Sequence, residues 1–226
     1  MPTIGGIVVA TGQEASGRRT LLDIVDELAR PFNASDTTIR ALAADSFRAA
    51  VRTMNRKGNW PWELQDESLT QTINSPYTTV TGAIKKPLAM YYLDSSNLPW
   101  ERICYIEYEN LVNTYDLSIA GRPSRYSVPN MFETGQIRWH PIPQESESCQ
   151  LTYYRVTPAP RTESETVEIP DHAIETYTAF AWFELAKRLP AAQARYPLTV
   201  AKADAMLAFR ELSAHVNMPG DRVQYG

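Results

Sequence analysis

Two segments near the start of the chain and two near its end repeat apolar residues at helical spacing, and this pattern restricts the fold most. Residues 20–30 place leucine, isoleucine and valine on one face, and Pro31 ends that helix. A second helix is predicted from about residue 36 to residue 57, with Ser35 as its N-cap. Gly58 is predicted as its C′ residue. The start of the chain therefore predicts two consecutive helices.

The end of the chain predicts a second helical pair. Residues 171–189 carry the apolar pattern of one helix, which Pro190 stops. Pro197 opens the last helix, whose spacing is the most regular in the chain. Its apolar face consists of Leu198, Ala201, Ala205, Phe209, Leu212 and Val216.

The segment between the two pairs, residues 60–169, has a different pattern. Apolar and polar residues alternate in short runs rich in tyrosine, isoleucine, valine and tryptophan, for example at 103–108, 136–140 and 150–156. Prolines, among them Pro87, interrupt these runs, and several of these prolines restrict their segment to an edge strand or a loop. We expect a small antiparallel sheet with long, irregular connections.

These patterns together predict an α+β fold, with a four-helix core from both chain ends, an inserted antiparallel β region and extended terminal arms. The length of 226 residues fits one domain. We therefore predict one domain over residues 20–216. In the sequence, the helical segments 20–58 and 170–216 flank the β insertion 60–169. Residues 1–19 would form an extended N-terminal arm and residues 217–226 a C-terminal tail.

Charge, cysteines and hydropathy exclude several classes of protein. A net charge of -4 argues against a dedicated nucleic-acid binder. The two cysteines, Cys104 and Cys149, form no Cys-x-x-Cys pair and are predicted to be reduced, partly buried strand residues. A disulfide between them is the alternative. We see no signal-peptide pattern and no apolar run long enough for a membrane span. We therefore expect a soluble chain made in a reducing cytoplasm, without membrane contact.

Three local patterns imitate catalytic or binding motifs, and each has a simpler explanation. The glycine-containing segment 12–20 resembles a phosphate-binding loop, but Arg18 and Arg19 occupy its lysine and serine/threonine positions. The carboxylates Glu163, Glu165, Glu168 and Asp171 are typical of a solvated loop that ends at a helix start. The histidines His140, His172 and His215 are scattered and lack metal-ligand spacing. We expect no catalytic set, no metal and no cofactor, and hence no enzyme.

Aromatic side chains are the remaining candidates for a site. Tyrosine and tryptophan bury a large area while keeping one polar atom, so they favour cores and protein interfaces. A stacking platform for sugars or bases is the alternative. The candidates for contact with another subunit or with a tail component are Trp60, Trp62, Trp100, Trp139 and Tyr126.

Several short motifs follow one another between the two helical pairs. The first pair ends in RKGNWPW at 56–62, and the β region contains GRPSRY at 121–126. IRWHPIP at 137–143 and LTYYR at 151–155 come next, and IPDHAI at 169–174 opens the closing pair. In order and spacing this succession resembles the head-to-tail adaptor (connector) proteins of tailed bacteriophages. The resemblance covers residues 20 to 216 and leaves the N-terminal arm unexplained.

The resemblance implies a structural role in the neck of a virion, assembled in the cytoplasm of a bacterial host. Such adaptors form a dodecameric ring on the portal protein, and their helices surround a channel through which DNA passes without specific binding. The β insertion would face the tail tube, nozzle or tail-fibre proteins. The C-terminal tail would dock on the portal, with Arg222, Val223 and Tyr225 as contact candidates. The alternatives are another neck component such as a tail terminator, or a carbohydrate-binding or wall-degrading module.

Overall fold

A computed structural model of the chain describes residues 19–216, which fold into a mixed α+β structure. The predicted N-terminal arm, apart from residue 19, and the predicted C-terminal tail lie outside the described residues. The helices are α1 (Leu21–Ala29), α2 (Thr37–Lys57), α3 (Tyr108–Thr114), α4 (Asp171–Arg188), α5 (Pro190–Arg195) and α6 (Leu198–Val216), with a 3₁₀ turn at Pro61–Glu63.

Side-chain caps fix where the first two helices begin. The hydroxyl of Thr20 accepts a hydrogen bond from the backbone N–H of Asp23, and the Asp23 carboxylate accepts one from that of Thr20, which forms a capping box at α1. The N-cap of α2 is Asp36, which accepts from the N–H of Thr38 at 2.8 Å. The prediction of Ser35 as N-cap is wrong, because Ser35 hydrogen-bonds to Asn33 instead.

The residues that follow α2 and α4 differ in one respect each from the sequence expectation. Gly58 is the C-cap of α2 in extended backbone, with φ −169°, and does not adopt the left-handed conformation of a C′ glycine. Pro190 ends α4 as predicted, but it also begins the short helix α5, because proline is well tolerated at the first helical position.

One buried apolar cluster contains side chains from helices of both chain ends. The inner faces of α1, α2, α4 and α6 all contribute to it, together with Trp60 and two residues that precede α4. Its largest members include Leu21, Ile24, Phe47, Met54, Trp60, Tyr177, Phe180 and Phe209. Burial of apolar area on this scale is the main stabilising contribution in the helical part of the chain.

The middle of the chain forms more sheet than predicted. The strands are β1 (Leu64–Thr70), β2 (Tyr77–Thr79), β3 (Ile84–Leu93), β4 (Pro99–Arg102), β5 (Cys104–Tyr105), β6 (Ala120–Gly121), β7 (Arg125–Ser127), β8 (Gln136–His140), β9 (Ile142–Pro143) and β10 (Ser148–Arg155). Two four-stranded sheets run in the orders β1-β10-β3-β4 and β2-β8-β7-β5. A two-stranded sheet pairs β6 with β9. Most pairs are antiparallel, but β5–β7 and β6–β9 are parallel, which corrects the expectation of one small antiparallel sheet.

The two four-stranded sheets share a second apolar cluster. Alternate residues of β10, namely Cys149, Leu151 and Tyr153, point into it from the first sheet. Ile137 and Trp139 of β8 point into it from the second sheet. This cluster is the core of the β part.

Pro87 lies within β3, which is a central strand, although proline is usually confined to edge strands and bulges. Its register partner is Tyr153, and the pairing slips beside it because Thr152 opposes Ala89. The slip leaves Leu88 as an extra residue on β3. A β-bulge is one of the few places where a strand accommodates a proline, which has no N–H to donate.

A buried polar network joins the helical part to the β part. The carboxylate of Glu63 accepts hydrogen bonds from the Lys85 ammonium at 2.5 Å and from the Thr157 hydroxyl at 2.9 Å. The Lys85 ammonium also donates to the carbonyl of Gly58. The Asn55 side chain bonds both the N–H and the carbonyl of Thr157. Because these groups come from α2, the 3₁₀ turn, β3 and the segment after β10, the network fixes the orientation of the two parts.

Among residues 19–216, no helix is both long enough and apolar enough to cross a bilayer.

Candidate interaction surface

Three of the five aromatic candidates belong to the interior of the subunit. Trp60 lies in the helical cluster, while Trp139 and Tyr126 lie in the β cluster, and all three are buried. The indole N–H of Trp60 donates to the carbonyl of Met54 at 3.2 Å, and that of Trp139 donates to the Thr78 hydroxyl at 2.8 Å. The prediction of these three residues as surface contacts is therefore corrected: they are core residues.

The other two candidates differ in exposure. Trp62 is partly buried and stacks on Trp60, with ring centroids 5.2 Å apart and planes within 5° of parallel. Its other neighbour is His172, whose ring meets it edge-on at 5.8 Å. Trp100, in contrast, is 58% exposed. It is the one candidate of the five that presents most of its side chain to solvent.

Strand pairing explains why Trp100 faces outward. Glu101 opposes Tyr92 across the β3–β4 pair, and Pro99 opposes Leu93, so Trp100 is an extra residue on β4. Such a bulge redirects the side chain of the extra residue. Among the residues that the structure describes, strand β4 is also at the edge of its sheet. Leu98, just before β4, is exposed as well.

An arginine from a distant loop completes the surface around Trp100. The guanidinium of Arg122 lies 4.0 Å from the ring centroid of Tyr92 and 5.0 Å from that of Trp100. Cation–π contacts of this kind contribute about 0.5–1 kcal/mol at exposed sites. We call Leu98, Trp100, Tyr92 and Arg122 the Trp100 patch.

Two carboxylates hold Arg122 in place on the rings. Its guanidinium donates to Glu147 at 2.9 Å and to Glu101 at 2.5 Å. The hydrogen bonds from Arg122 to Glu147 and Glu101 raise the pKa of the guanidinium, so it is always charged. The hydroxyl of Tyr92, whose ring contacts Arg122, donates to the carbonyl of Pro123 at 2.7 Å. Burial raises the pKa of this hydroxyl to about 12. The two carboxylate contacts keep Arg122 against the rings of Tyr92 and Trp100 in the subunit alone.

The composition of the Trp100 patch is typical of a protein contact. Tryptophan, tyrosine and arginine are the residues most enriched at binding hot spots. A shallow cleft beside the patch is lined by Arg122, Pro123, Gln144, Glu145 and Glu147. Of the two carboxylates that line this cleft, Glu147 is paired with Arg122 at 2.9 Å and Glu145 is exposed.

The carboxylates near α4 serve the structure, in line with the sequence interpretation. Glu163 lies 3.4 Å from the Arg40 guanidinium, and Glu168 lies 2.6 Å from that of Arg155. Glu165 accepts a hydrogen bond from the backbone N–H of Arg161. Asp171 occupies the first turn of α4, where a negative charge is favoured.

Two of the three scattered histidines come together, which the sequence interpretation did not anticipate. His172 on α4 and His215 on α6 have ring centroids 5.9 Å apart, and they line a cleft with Glu175 and Glu211. The spacing in the sequence could have indicated part of this arrangement. His172 and Glu175 are three residues apart and Glu211 and His215 are four apart, so each pair lies on one face of its helix. Nevertheless, no group of three or more metal-ligating side chains in residues 19–216 is placed to hold an ion.

The third histidine and both cysteines show no reactive arrangement. His140 is buried beside Tyr115, and burial lowers the pKa of its imidazole. Cys149 is buried, which raises the pKa of its thiol to about 12. Cys104 is exposed, contrary to the expectation of a partly buried residue. Both cysteines are free, so the alternative of a disulfide between them is wrong.

Most of the loop that resembles a phosphate-binding motif lies outside the described residues. The two members that the structure describes have other roles. Arg19 pairs with Glu27 at 2.9 Å, and Thr20 caps α1. The portal-docking candidates Arg222, Val223 and Tyr225 also lie outside the described residues.

Comparison of the chain with models of known protein families and with curated proteins gives no match.

Proposed function

We propose that this chain is a structural subunit of a virion, which forms a ring between the portal and the tail of a tailed bacteriophage. In this proposal the subunit carries out no reaction. It bridges head to tail and surrounds the channel through which DNA leaves. Its partners are further copies of itself, in a ring of twelve, the portal protein, and components of the tail.

The division of the chain into two cores supports this proposal. Helices from both ends contribute to one apolar cluster, and the inserted strands build another. We interpret the helical cluster as a four-helix core beside the channel and the β part as the projection that reaches neighbouring proteins. The negative net charge of the chain suits a channel in which DNA slides, because few phosphates would be neutralised.

The observation that carries the proposal is the Trp100 patch. A tryptophan that is 58% exposed and an arginine held by two carboxylates form an exposed surface at the edge of the sheet. Pre-ordered side chains lose little entropy on association, which favours binding to another protein. The patch lies in the β part, where the proposal expects contacts with other chains.

The test is assembly with the portal protein encoded in the same genome. Purified full-length chain is mixed with portal rings, and the mixture is examined by mass photometry and electron microscopy. We expect a second ring on the portal with one copy of this chain per portal subunit. A chain with residues 217–226 deleted is the matched control, and we expect it to remain folded but unattached.

Three results would contradict the proposal. The first is failure of the full-length chain to bind the portal, together with its absence from purified virions. The second is binding to the end of the tail tube and not to the portal, which would indicate a tail terminator. The third is binding to a glycan array or cleavage of cell-wall material, which would indicate the carbohydrate-directed alternative.

A further inference from the structure

The second four-stranded sheet has an outer face, which points away from the β cluster. The residues on either side of Arg138 belong to that cluster, so Arg138 and His140 of β8 lie on the outer face. Tyr126 belongs to the cluster as well, so Arg125 and Ser127 of β7 also lie on the outer face. Arg125 opposes His140 and Ser127 opposes Arg138, so the four side chains are cross-strand neighbours. We call these four residues the arginine face.

Two side chains of the arginine face hold buried polar atoms that lack a partner. Arg138 is 8% exposed and Ser127 is 0% exposed. The Nη1 of Arg138 donates to the hydroxyl oxygen of Tyr77 at 2.6 Å, but its Nε is buried without a hydrogen bond in the described part of the chain. The Ser127 hydroxyl is buried without one too. Buried donors that lack an acceptor destabilise a fold, so this face calls for an acceptor from outside the subunit.

The two arginines of this face also lack a counter-ion. Among residues 19–216, no ion pair joins either guanidinium to a carboxylate. Their contacts are with tyrosine rings: Arg125 lies 4.8 Å from the ring centroid of Tyr115, and Arg138 lies 5.0 Å from that of Tyr77. Arginine keeps its charge when it is buried. The face therefore carries positive charge that the described residues do not balance.

His140 lies within the electrostatic reach of both arginines. Burial lowers the pKa of its imidazole from the ordinary value of 6.5, and the charges of Arg125 and Arg138 lower it further. Asp116 acts in the opposite direction, but its carboxylate is exposed and accepts hydrogen bonds from the N–H and the hydroxyl of Ser118. At pH 7 the imidazole is therefore neutral, and the positive charge of the face is that of two guanidinium groups.

We propose that the arginine face binds a phosphate group, either as inorganic phosphate or as the terminal phosphate of a larger molecule. Phosphate oxygens are acceptors that guanidinium and hydroxyl groups bind well. A terminal phosphate carries about −1.5 to −2 charges at pH 7, which nearly balances two arginines, whereas a carboxylate or a phosphodiester carries a single charge. Arg125 is only partly buried, so the face is open to solvent at this residue. The inference goes beyond the proposed ring function and does not depend on it.

Isothermal titration calorimetry of the full-length chain with sodium phosphate tests the site. The buffer is sodium chloride of matched ionic strength, and we expect saturable binding of one phosphate per chain. Arg125→Gln should weaken binding about tenfold and Ser127→Ala about threefold, because a hydrogen bond from a charged donor is the stronger of the two. The matched control is Arg102→Gln, an exposed arginine on β4 of the other sheet, which should bind phosphate like the unchanged chain.

Two further measurements complete the test. In urea denaturation, phosphate should raise the midpoint of the unchanged chain but not that of Arg138→Met, which removes the buried charge. If Arg138→Met does not fold, Arg125→Gln and Ser127→Ala decide the question. Titration with O-phosphoserine distinguishes the two sources of the ligand, since tighter binding than that of inorganic phosphate indicates a terminal phosphate and weaker binding indicates the free ion.

The inference fails on any of three results. One is the absence of phosphate binding, and another is equal binding by the unchanged chain, Arg125→Gln and Ser127→Ala, which would place the ion elsewhere. The last is acetate or a short DNA duplex binding as tightly as phosphate, which would assign the face to a carboxylate of another protein or to a nucleic-acid backbone. The proposed ring is tested separately, by assembly on the portal.

Discussion

Replacement of Lys85 by methionine should destabilise the fold strongly, because it removes one partner of a buried ion pair. The Lys85 and Glu63 side chains are 4% and 0% exposed, and their charged atoms lie 2.5 Å apart. Loss of one partner from such a pair costs about 3–5 kcal/mol of unfolding free energy. The Thr157 hydroxyl and the N–H of Trp60 still donate to Glu63 in the variant, which places the expected cost near the lower end of that range.

The loss of unfolding free energy in Lys85→Met should be larger at higher pH. Burial raises the pKa of Glu63 above its ordinary value of 4.5, and the Coulombic attraction and hydrogen bond of Lys85 oppose that rise. Without Lys85 the pKa rises further, so above pH 4.5 the folded state holds a proton that the unfolded state releases. Stability of the variant therefore falls as pH increases from 4.5, and the cost should be larger at pH 8 than at pH 5.

Urea denaturation followed by tryptophan fluorescence and far-UV circular dichroism measures these free energies. Urea is preferred because guanidinium chloride is a salt and would also screen the exposed ion pairs of the chain, such as Arg19–Glu27. A double variant, Lys85→Met with Glu63→Gln, should be more stable than Lys85→Met alone, because the uncompensated charge is gone. As a control, Lys202→Met changes an exposed residue of α6 and should alter stability by no more than about 0.5 kcal/mol.

Two results would refute this reasoning. One is a cost of Lys85→Met below about 1 kcal/mol, the value expected for an exposed pair. The other is an equal cost at pH 5 and pH 8, since Glu63 would then not take up the proton that its burial favours.

Three further changes test other parts of the structure. Leu212→Asp places a charge on the buried face of α6 and should cost several kcal/mol in urea denaturation; unchanged stability would mean that this face is solvated. Deletion of residues 217–226 should leave the melting temperature within a few degrees of the full chain while abolishing portal binding; an unfolded product would assign the segment to the core. Gly135→Ala should lower stability by about 1–3 kcal/mol, because the added Cβ would collide with the carbonyl of Gly82. A melting temperature equal to that of the unchanged chain would mean that this loop yields easily.

Local patterns predicted the regular elements well. The alternation at 136–140 matches strand β8, and Asp171 begins α4 as expected. Helix α3 was missed because it has seven residues and one buried side chain, Leu111, too few for a helical period to appear. Part of the segment 103–108 was therefore interpreted as a continuous strand.

The exposure of Trp100 and the partners of Arg122 could not be predicted, because they depend on contacts between segments that are distant in the sequence. Trp139 and Trp100 both occur in strand-like segments, yet one is buried and the other exposed. The difference arises from the bulge and the edge position of β4, which depend on β3. Likewise, Arg122 meets Glu101 and Glu147 only after folding, since 21 and 25 residues separate them.

The β part begins and ends at nearly the same point in space. The Asn55 side chain near the end of α2 is hydrogen-bonded to Thr157, two residues after β10. The polypeptide therefore leaves the helical part and returns to it at the same place. The length of the inserted segment does not set the distance between these two points, because Asn55 and Thr157 are bonded to each other directly. Substitution of Asn55 would therefore loosen the chain where it enters the β part and where it leaves it, since this one side chain bonds both the N–H and the carbonyl of Thr157.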